Sequence, residues 1–314
     1  MNYRDRVHPD LLDMYDSGEE LELNFPDSLR KRMKDEYEAA GHPVSEEVTV
    51  SERYIAGPDG GEDLYVRIYK PAVDKDILPC LLWIHGGGYI SGFVKKDEGL
   101  CIRFATEARC VVVSVEYRLA PEHPYPGPLE DCYSALQWIH DSAEELNVDR
   151  ERIAVAGNSA GGGLTAALAL LARDRGGPMI AFQAPLYPMI DDRCDSPSCI
   201  EMQDPKAWFG ECNKLAWSMY LGGLPDEDVP AYAAPARAAD YTGLPATYTF
   251  IGDLDPFRDE TIEYVARLSR AGAPVEFHQY PGCFHGFDMA PVRTEVGDRA
   301  MSGFIDALAR AFGR

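Results

Sequence analysis

The sequence predicts an open α/β sheet with helices on both faces, and three observations carry that prediction. Eight short apolar runs of strand length follow one another from residue 48, the first two flank a Gly57-Pro58-Asp59-Gly60-Gly61 turn, and the later ones alternate with helical stretches. The runs occupy residues 48–55, 64–69, 80–84, 111–115, 153–156, 180–186, 247–251 and 275–280. The glycine-rich turn makes the first two an antiparallel hairpin. Helical stretches at 129–142, 164–173 and 258–271 then supply the crossovers that parallel strands require, giving a mostly parallel eight-stranded sheet. Ahead of it, residues 1–45 are charged and interrupted by Gly18, Pro26, Gly41 and Pro43, with helical stretches only at 9–17 and 28–39, so they read as flank or lid. Between 191 and about 235 the strand–helix alternation lapses into a segment rich in Trp208, Phe209, Trp217, Met219 and Tyr220. With the N-terminal flank, this insertion is expected to cover the carboxyl ends of the strands. No repeat or linker divides residues 46–314, which read as one core carrying that insertion.

A chain of 314 residues with 46% apolar content can bury one large core. The 52 Asp and Glu against 30 Lys and Arg leave a net charge of −22, a surface that repels phosphate backbones and anionic membranes, so neither nucleic acid nor membrane is an expected partner. No apolar run reaches the roughly 18 residues of a membrane span. The first eight residues form no apolar signal core, and a soluble, cytoplasmic protein is expected. Cys80, Cys101, Cys110, Cys132, Cys194, Cys199, Cys212 and Cys283 contain no C-x-x-C pair, and several sit in strand-like runs. They read as buried thiols rather than disulfides or metal ligands.

Chemistry is concentrated at four loops. Gly157-Asn158-Ser159-Ala160-Gly161 lies where one run ends and a helix begins, the context in which a strained turn exposes a nucleophile and close packing leaves no room for side chains on either side. Alone, this pattern is also that of a glycine-rich turn with a capping serine. His85-Gly86-Gly87-Gly88 follows the run at 80–84, where glycine amides can converge on one oxygen together with the N–H of Ala160. No lysine stands in Walker spacing and no G-x-G-x-x-G opens a helix there, which argues against a phosphate loop. A serine nucleophile needs a base and the base an orienting acid. Of seven histidines, His285 alone stands just past the last run, on a loop at a strand's carboxyl end. Asp253, Asp255 and Asp259 follow the run at 247–251. Asp255 is favoured because Pro256 holds it out of the helix, whereas Asp253 and Asp259 suit local capping or pairing with Arg258.

His85-Gly-Gly-Gly, Tyr117-Arg-Leu-Ala-Pro-Glu122, Gly157-Asn-Ser-Ala-Gly-Gly162, Asp255-Pro-Phe-Arg-Asp259 and His285-Gly-Phe287 together resemble the hormone-sensitive-lipase-like branch of the α/β-hydrolases, the bacterial family IV esterases. The resemblance spans roughly residues 45–312, with the motifs in family order. It implies the α/β-hydrolase fold with a helical cap built from 1–45 and about 191–235. It further implies Ser159 as nucleophile, His285 as base and acid, Asp255 as orienting carboxylate, Gly86, Gly87 and Ala160 as oxyanion donors, and hydrolysis of short or medium acyl esters without cofactor or metal. Asn158 departs from the Asp usual in the family, which implies altered loop hydrogen bonding rather than lost activity. The 117–122 motif reads as a buttress of the glycine loop.

Two competing functions stand beside the esterase. One is a non-catalytic small-ligand receptor on the same scaffold, but the related plant receptors lack the histidine that stands here at 285. The other is amide or peptide cleavage, for which the sequence supplies no extended groove. Tyr89, Tyr187, Trp208, Phe209 and Phe287 are candidate pocket walls, each equally suited to core packing. The run at 275–280 would be an edge strand open to pairing with a second copy. Residues 1–60 carry 15 acids against 7 bases, which raises the expectation of salt tolerance or salt dependence.

Overall fold

A computed structural model describes residues 2–41, 45–73, 76–289 and 293–314. The junction between the N-terminal segment and the core, at 42–44, lies outside the described residues. Strands β1 (Val48–Ile55), β2 (Leu64–Pro71), β3 (Leu78–Ile84), β4 (Val111–Val115), β5 (Val148–Asn158), β6 (Phe182–Leu186), β7 (Ala246–Leu254) and β8 (Val275–Phe284) form one sheet in the order β1-β2-β4-β3-β5-β6-β7-β8. β1 and β2 make the antiparallel hairpin, with Ile55 opposite Leu64, and β2 pairs antiparallel to β4. All later neighbours are parallel.

Burial explains the sequence patterns. Every residue of β3, β4 and β6 is buried, which is why these strands read as continuous apolar runs rather than alternating ones. At the edge, β1 buries only its two ends. Helices α4 (Gly127–Asp141) and α6 (Ala160–Arg175), with the short α5 (Ala143–Leu146) between them in the chain, pack together on one face, with Ala160 to Ala172 buried throughout. On the other, α3 (Glu98–Glu107) and α10 (Glu295–Ala311) meet over Trp83, where Phe104 and Phe304 stand edge to face at 5.3 Å. Helix α9 (Arg258–Arg270) connects β7 to β8.

Several elements are longer than the sequence patterns imply. β5 begins five residues before its apolar run, through the polar Asp149-Arg150-Glu151-Arg152. β8 continues through Pro281 and Gly282 to Phe284, and α6 begins at Ala160, four residues before the first leucine of its apolar stretch.

Two segments outside the sheet pack on one another. The N-terminal segment carries α1 (Leu12–Ser17) and α2 (Asp27–Ala40), and the stretch between β6 and β7 carries α7 (Pro197–Glu201) and α8 (Gly210–Leu221). Tyr15 Oη donates to Asp204 at 2.7 Å, Leu21 N–H to the Pro205 carbonyl at 2.7 Å, and Arg6 pairs with Glu201. The same N-terminal segment reaches the carboxyl ends of the last two strands. Tyr3 Oη donates to the Leu254 carbonyl at 2.9 Å and His8 N–H to the Gly282 carbonyl at 2.7 Å.

Candidate active site

Ser159 occupies the turn between β5 and α6 with φ 55° and ψ −118°, a conformation costly for a residue with a side chain. The turn is pinned on both sides. Ser159 N–H donates to the Leu186 carbonyl at 3.0 Å, and its carbonyl accepts from Met189 and Gly163. Close packing explains the flanking glycines: a Cβ on Gly157 would stand 2.4 Å from the Ile84 carbonyl oxygen, and one on Gly161 2.0 Å from it. The Ser159 turn is therefore wedged against the end of β3, where the glycine loop starts.

His285 follows β8 directly, and Asp255 follows β7. In the tautomer these partners select, His285 Nδ1–H donates to Asp255 Oδ2 at 2.7 Å and Ser159 Oγ–H donates to His285 Nε2 at 2.9 Å. Asp255 is 1% exposed, and its other oxygen accepts the Phe257 N–H at 2.9 Å. The neighbouring aspartates are engaged elsewhere. Asp253 accepts Gly282 N–H at 2.5 Å, tying the β7 and β8 ends together, while Asp259 pairs with Arg258 at 2.8 Å and accepts Ser198 N–H.

The glycine loop lies beside this trio. Among the described residues, the N–H groups of Gly86, Gly87 and Ala160 donate to no carbonyl or side chain. Ala160 is the first residue of α6, so the positive end of that helix dipole is aimed at the same place. Tyr117 Oη donates to the His85 carbonyl at 2.9 Å and its ring stacks on His85 at 4.2 Å. Burial pushes the His85 imidazole down to about 4, so it is neutral at pH 7, and its Nδ1–H donates to the Gly86 carbonyl.

The five aromatic candidates divide by place. Tyr187 meets His285 edge to face at 5.2 Å, and Trp208 stands 6.3 Å from it and lies over Gly88, so close that a Cβ there would be 2.7 Å from the indole. Tyr89 instead stacks on Tyr220 at 3.9 Å and donates to the Met189 carbonyl. Phe287 packs on Phe250 and Tyr280 above the sheet, and Phe209 is a buried residue ahead of α8. Two neighbours were not anticipated: Phe257, edge-on to His285 at 4.9 Å, and Phe25, stacked on Trp208 at 6.0 Å. Phe257 stands two residues after Asp255, a position the acid's assignment already marks. Phe25 carries no such signal. A cleft of about 1890 Å³ runs along the N-terminal segment and reaches Phe25, Leu21 and Leu29 but neither Ser159 nor His285. Among the described residues no cluster of His, Cys, Asp or Glu is placed to hold a metal ion.

A family model described as alpha/beta hydrolase fold matches residues 81–289. The chain is an α/β-hydrolase of the hormone-sensitive-lipase-like branch. An esterase of Mycobacterium tuberculosis strain H37Rv, LipI, is 37% identical over 281 residues, 88% of this chain and 86% of the relative. The carboxylesterase NlhH of the same organism is 38% identical over 269 residues, covering 83% and 84%. Among solved structures, a bacterial heroin esterase superposes with a TM-score of 0.96 at 38% identity over 99% of both chains. The matched residues begin within β3 and end at the 3₁₀ turn Phe287–Met289.

Proposed function

We propose that the chain is a serine carboxylesterase that cleaves short to medium acyl esters through an acyl-enzyme. The observation that carries this reading is the unbroken chain from Ser159 through His285 to Asp255 beside three unengaged amides. Ser159 Oγ attacks the ester carbonyl while His285 Nε2 takes its proton, and Asp255 holds the imidazole in the required tautomer. The oxyanion forms facing Gly86, Gly87 and Ala160, each amide contributing about 3 kcal/mol by the subtilisin precedent. His285 then protonates the departing alkoxide, and water repeats the sequence on the acyl group. Carboxylesterase relatives at 37% and 38% identity support the same reaction class.

Residues 1–45 and about 191–235 act together as the cap over this site. Trp208 and Phe25, one from each segment, stack on one another and are its inner wall. No helix among the described residues is long and apolar enough to cross a membrane. Eight free, buried thiols fit a reducing compartment, the cytoplasm. The exposed edge of β8 offers pairing with a second copy, which sedimentation equilibrium reads; a strictly monomeric protein removes that pairing.

The decisive experiment is Ser159→Ala assayed with p-nitrophenyl esters of two to twelve acyl carbons. The expected result is a kcat lower by about 10⁴ or more with unchanged melting temperature, and wild-type preference for the short end. Near wild-type turnover in that variant overturns the reading.

A further inference from the structure

Arg30, in the first turn of α2, reaches from the N-terminal segment to two loops of the core. Its Nε donates to the Ile90 carbonyl at 2.7 Å, its Nη2 to the Ala120 carbonyl at 3.0 Å, and Nη1 and Nη2 to the two oxygens of Glu122, each at 2.7 Å. Ile90 and Ala120 are fully buried and lie outside helix and strand, and among the described residues no other donor reaches either carbonyl. A buried carbonyl without a partner is costly, so the core leaves two main-chain acceptors for the N-terminal segment to satisfy. The residues that Arg30 holds are bonded in turn to the glycine loop. Ile90 N–H donates to the Gly87 carbonyl at 3.2 Å, beside Ser91 N–H at 3.0 Å and Ser91 Oγ at 2.7 Å, and Ala120 N–H donates to the Tyr89 carbonyl at 3.0 Å. Gly87 has φ 129°, and a Cβ there would stand 2.2 Å from the Ser91 carbonyl oxygen, so this turn admits only glycine.

We propose that Arg30 is a positioning residue for the oxyanion site: through Ile90 and Ala120 it fixes the turn at 87–91, and with it the direction of the Gly86 and Gly87 amides, from the N-terminal segment. This assignment rests on the esterase reading of Ser159 and His285. The two amides stabilise an oxyanion only when they converge on the oxygen that becomes charged, and a run of three glycines does not hold that direction by itself. The turn that does hold it is bracketed on its far side by the guanidinium. Glu122 sets the plane of that guanidinium by a bidentate pair, but the two side chains stay 30% and 53% exposed, so the pair orients Arg30 and adds little to the fold. Phe25, two residues before α2, stacks on Trp208, which lies over Gly88. Seating of the N-terminal segment therefore closes the roof of the site and sets its oxyanion donors together, and Arg30 is the link between the two.

The test compares Arg30→Ala, Arg30→Lys, Glu122→Gln and Ser159→Ala with a p-nitrophenyl ester, well below the melting temperature of each. It reads kcat, KM and inhibition by an aryl trifluoromethyl ketone, whose adduct with a serine carries an oxyanion. Arg30→Ala is expected to lower kcat about thirtyfold, less than the loss of one whole oxyanion donor, with KM within about twofold and the ketone weakened by a factor similar to that in kcat. Arg30→Lys is expected to stay about tenfold below the parent in kcat, since one ammonium cannot span both carbonyls and Glu122. Glu122→Gln leaves both carbonyls partnered and is expected to keep kcat within about threefold. A merely structural role lowers the melting temperature and leaves kcat and ketone affinity of the folded enzyme at parent values, and that result in Arg30→Ala overturns the proposal. A change in KM alone, or a Glu122→Gln variant as impaired as Arg30→Ala, overturns it too. Should Arg30→Ala fail to fold, Arg30→Lys decides on the same readouts, with parent-like kcat and ketone affinity as the overturning result. Ser159→Ala keeps the readings apart: turnover there removes the esterase reading and the proposal with it, whereas lost turnover there beside a parent-like Arg30→Ala removes the proposal alone.

Discussion

Asp253 and Asp255 stand two residues apart and face different partners. Asp255 lies beyond the last hydrogen bond of β7 and reaches His285, whereas Asp253 is still in the strand and holds the Gly282 amide. Replacing Asp255 with Asn would reverse the hydrogen bond at Nδ1 and select the wrong tautomer, at a cost of about 10⁴ in kcat by the serine-protease precedent. Asp253→Asn keeps an acceptor for Gly282 N–H and should stay within about tenfold of wild type. Steady-state kinetics on the pair decides it, and a crippled Asp253→Asn beside an active Asp255→Asn would exchange the roles. The sequence signal for Asp255 was physical, because Pro256 bars the helical conformation from the residue before it. Nothing comparable sorted the aromatic candidates. Tyr89 and Tyr187 each follow a strand, yet only the contacts show that one faces α8 and the other His285.

At the scale of elements, the order and kind of strands were legible because burial on both faces leaves continuous apolar runs. The ends were not. β8 runs on through Pro281 and Gly282 because Asp253 accepts the Gly282 amide and Leu254 pairs with Phe284, both tertiary facts. The start of α6 was hidden by Gly161, Gly162 and Gly163, each of which costs a helix about 1 kcal/mol relative to alanine. They are retained because the helix lies on the sheet's loops: a Cβ at 161 would meet the Ile84 and His85 carbonyl oxygens at 2.0 and 2.5 Å. Gly161→Ala is therefore predicted to destabilise by about 3 kcal/mol through overpacking, despite the better helix propensity. Urea unfolding measures this. A neutral or stabilising effect would mean that α6 can lift off β3 without penalty, contrary to the wedged geometry of the turn.

Over the whole molecule, the charge of −22 and the buried carboxyl groups act on stability in the same direction. Asp97, Glu116, Glu260 and Asp288 are all raised above the ordinary carboxylate range, chiefly by burial. Their folded values exceed their unfolded ones, so the stability they contribute is complete at low pH and is lost as pH rises through the folded values, about 7 for Asp288. Surface pairs act oppositely. Glu122, held down to about 2 by Arg30, contributes above the ordinary range and loses that contribution as pH falls. Above the ordinary carboxylate range the paired set is fully engaged, while the buried set loses its contribution across the window that ends at about 7, the folded value of Asp288. Above that window, burial and self-repulsion both oppose folding. Molar salt screens the repulsion, and the exposed ion pairs it also weakens contribute at most about 1 kcal/mol each, so the repulsion term decides the sign. The melting temperature should accordingly be higher near pH 6 than near pH 8 at fixed ionic strength, and at pH 8 it should rise from low to molar sodium chloride. A higher value at pH 8 would mean that the buried carboxyls do not govern the alkaline side. A flat or falling response to salt would mean that self-repulsion of the acidic surface does not limit the stability of the fold.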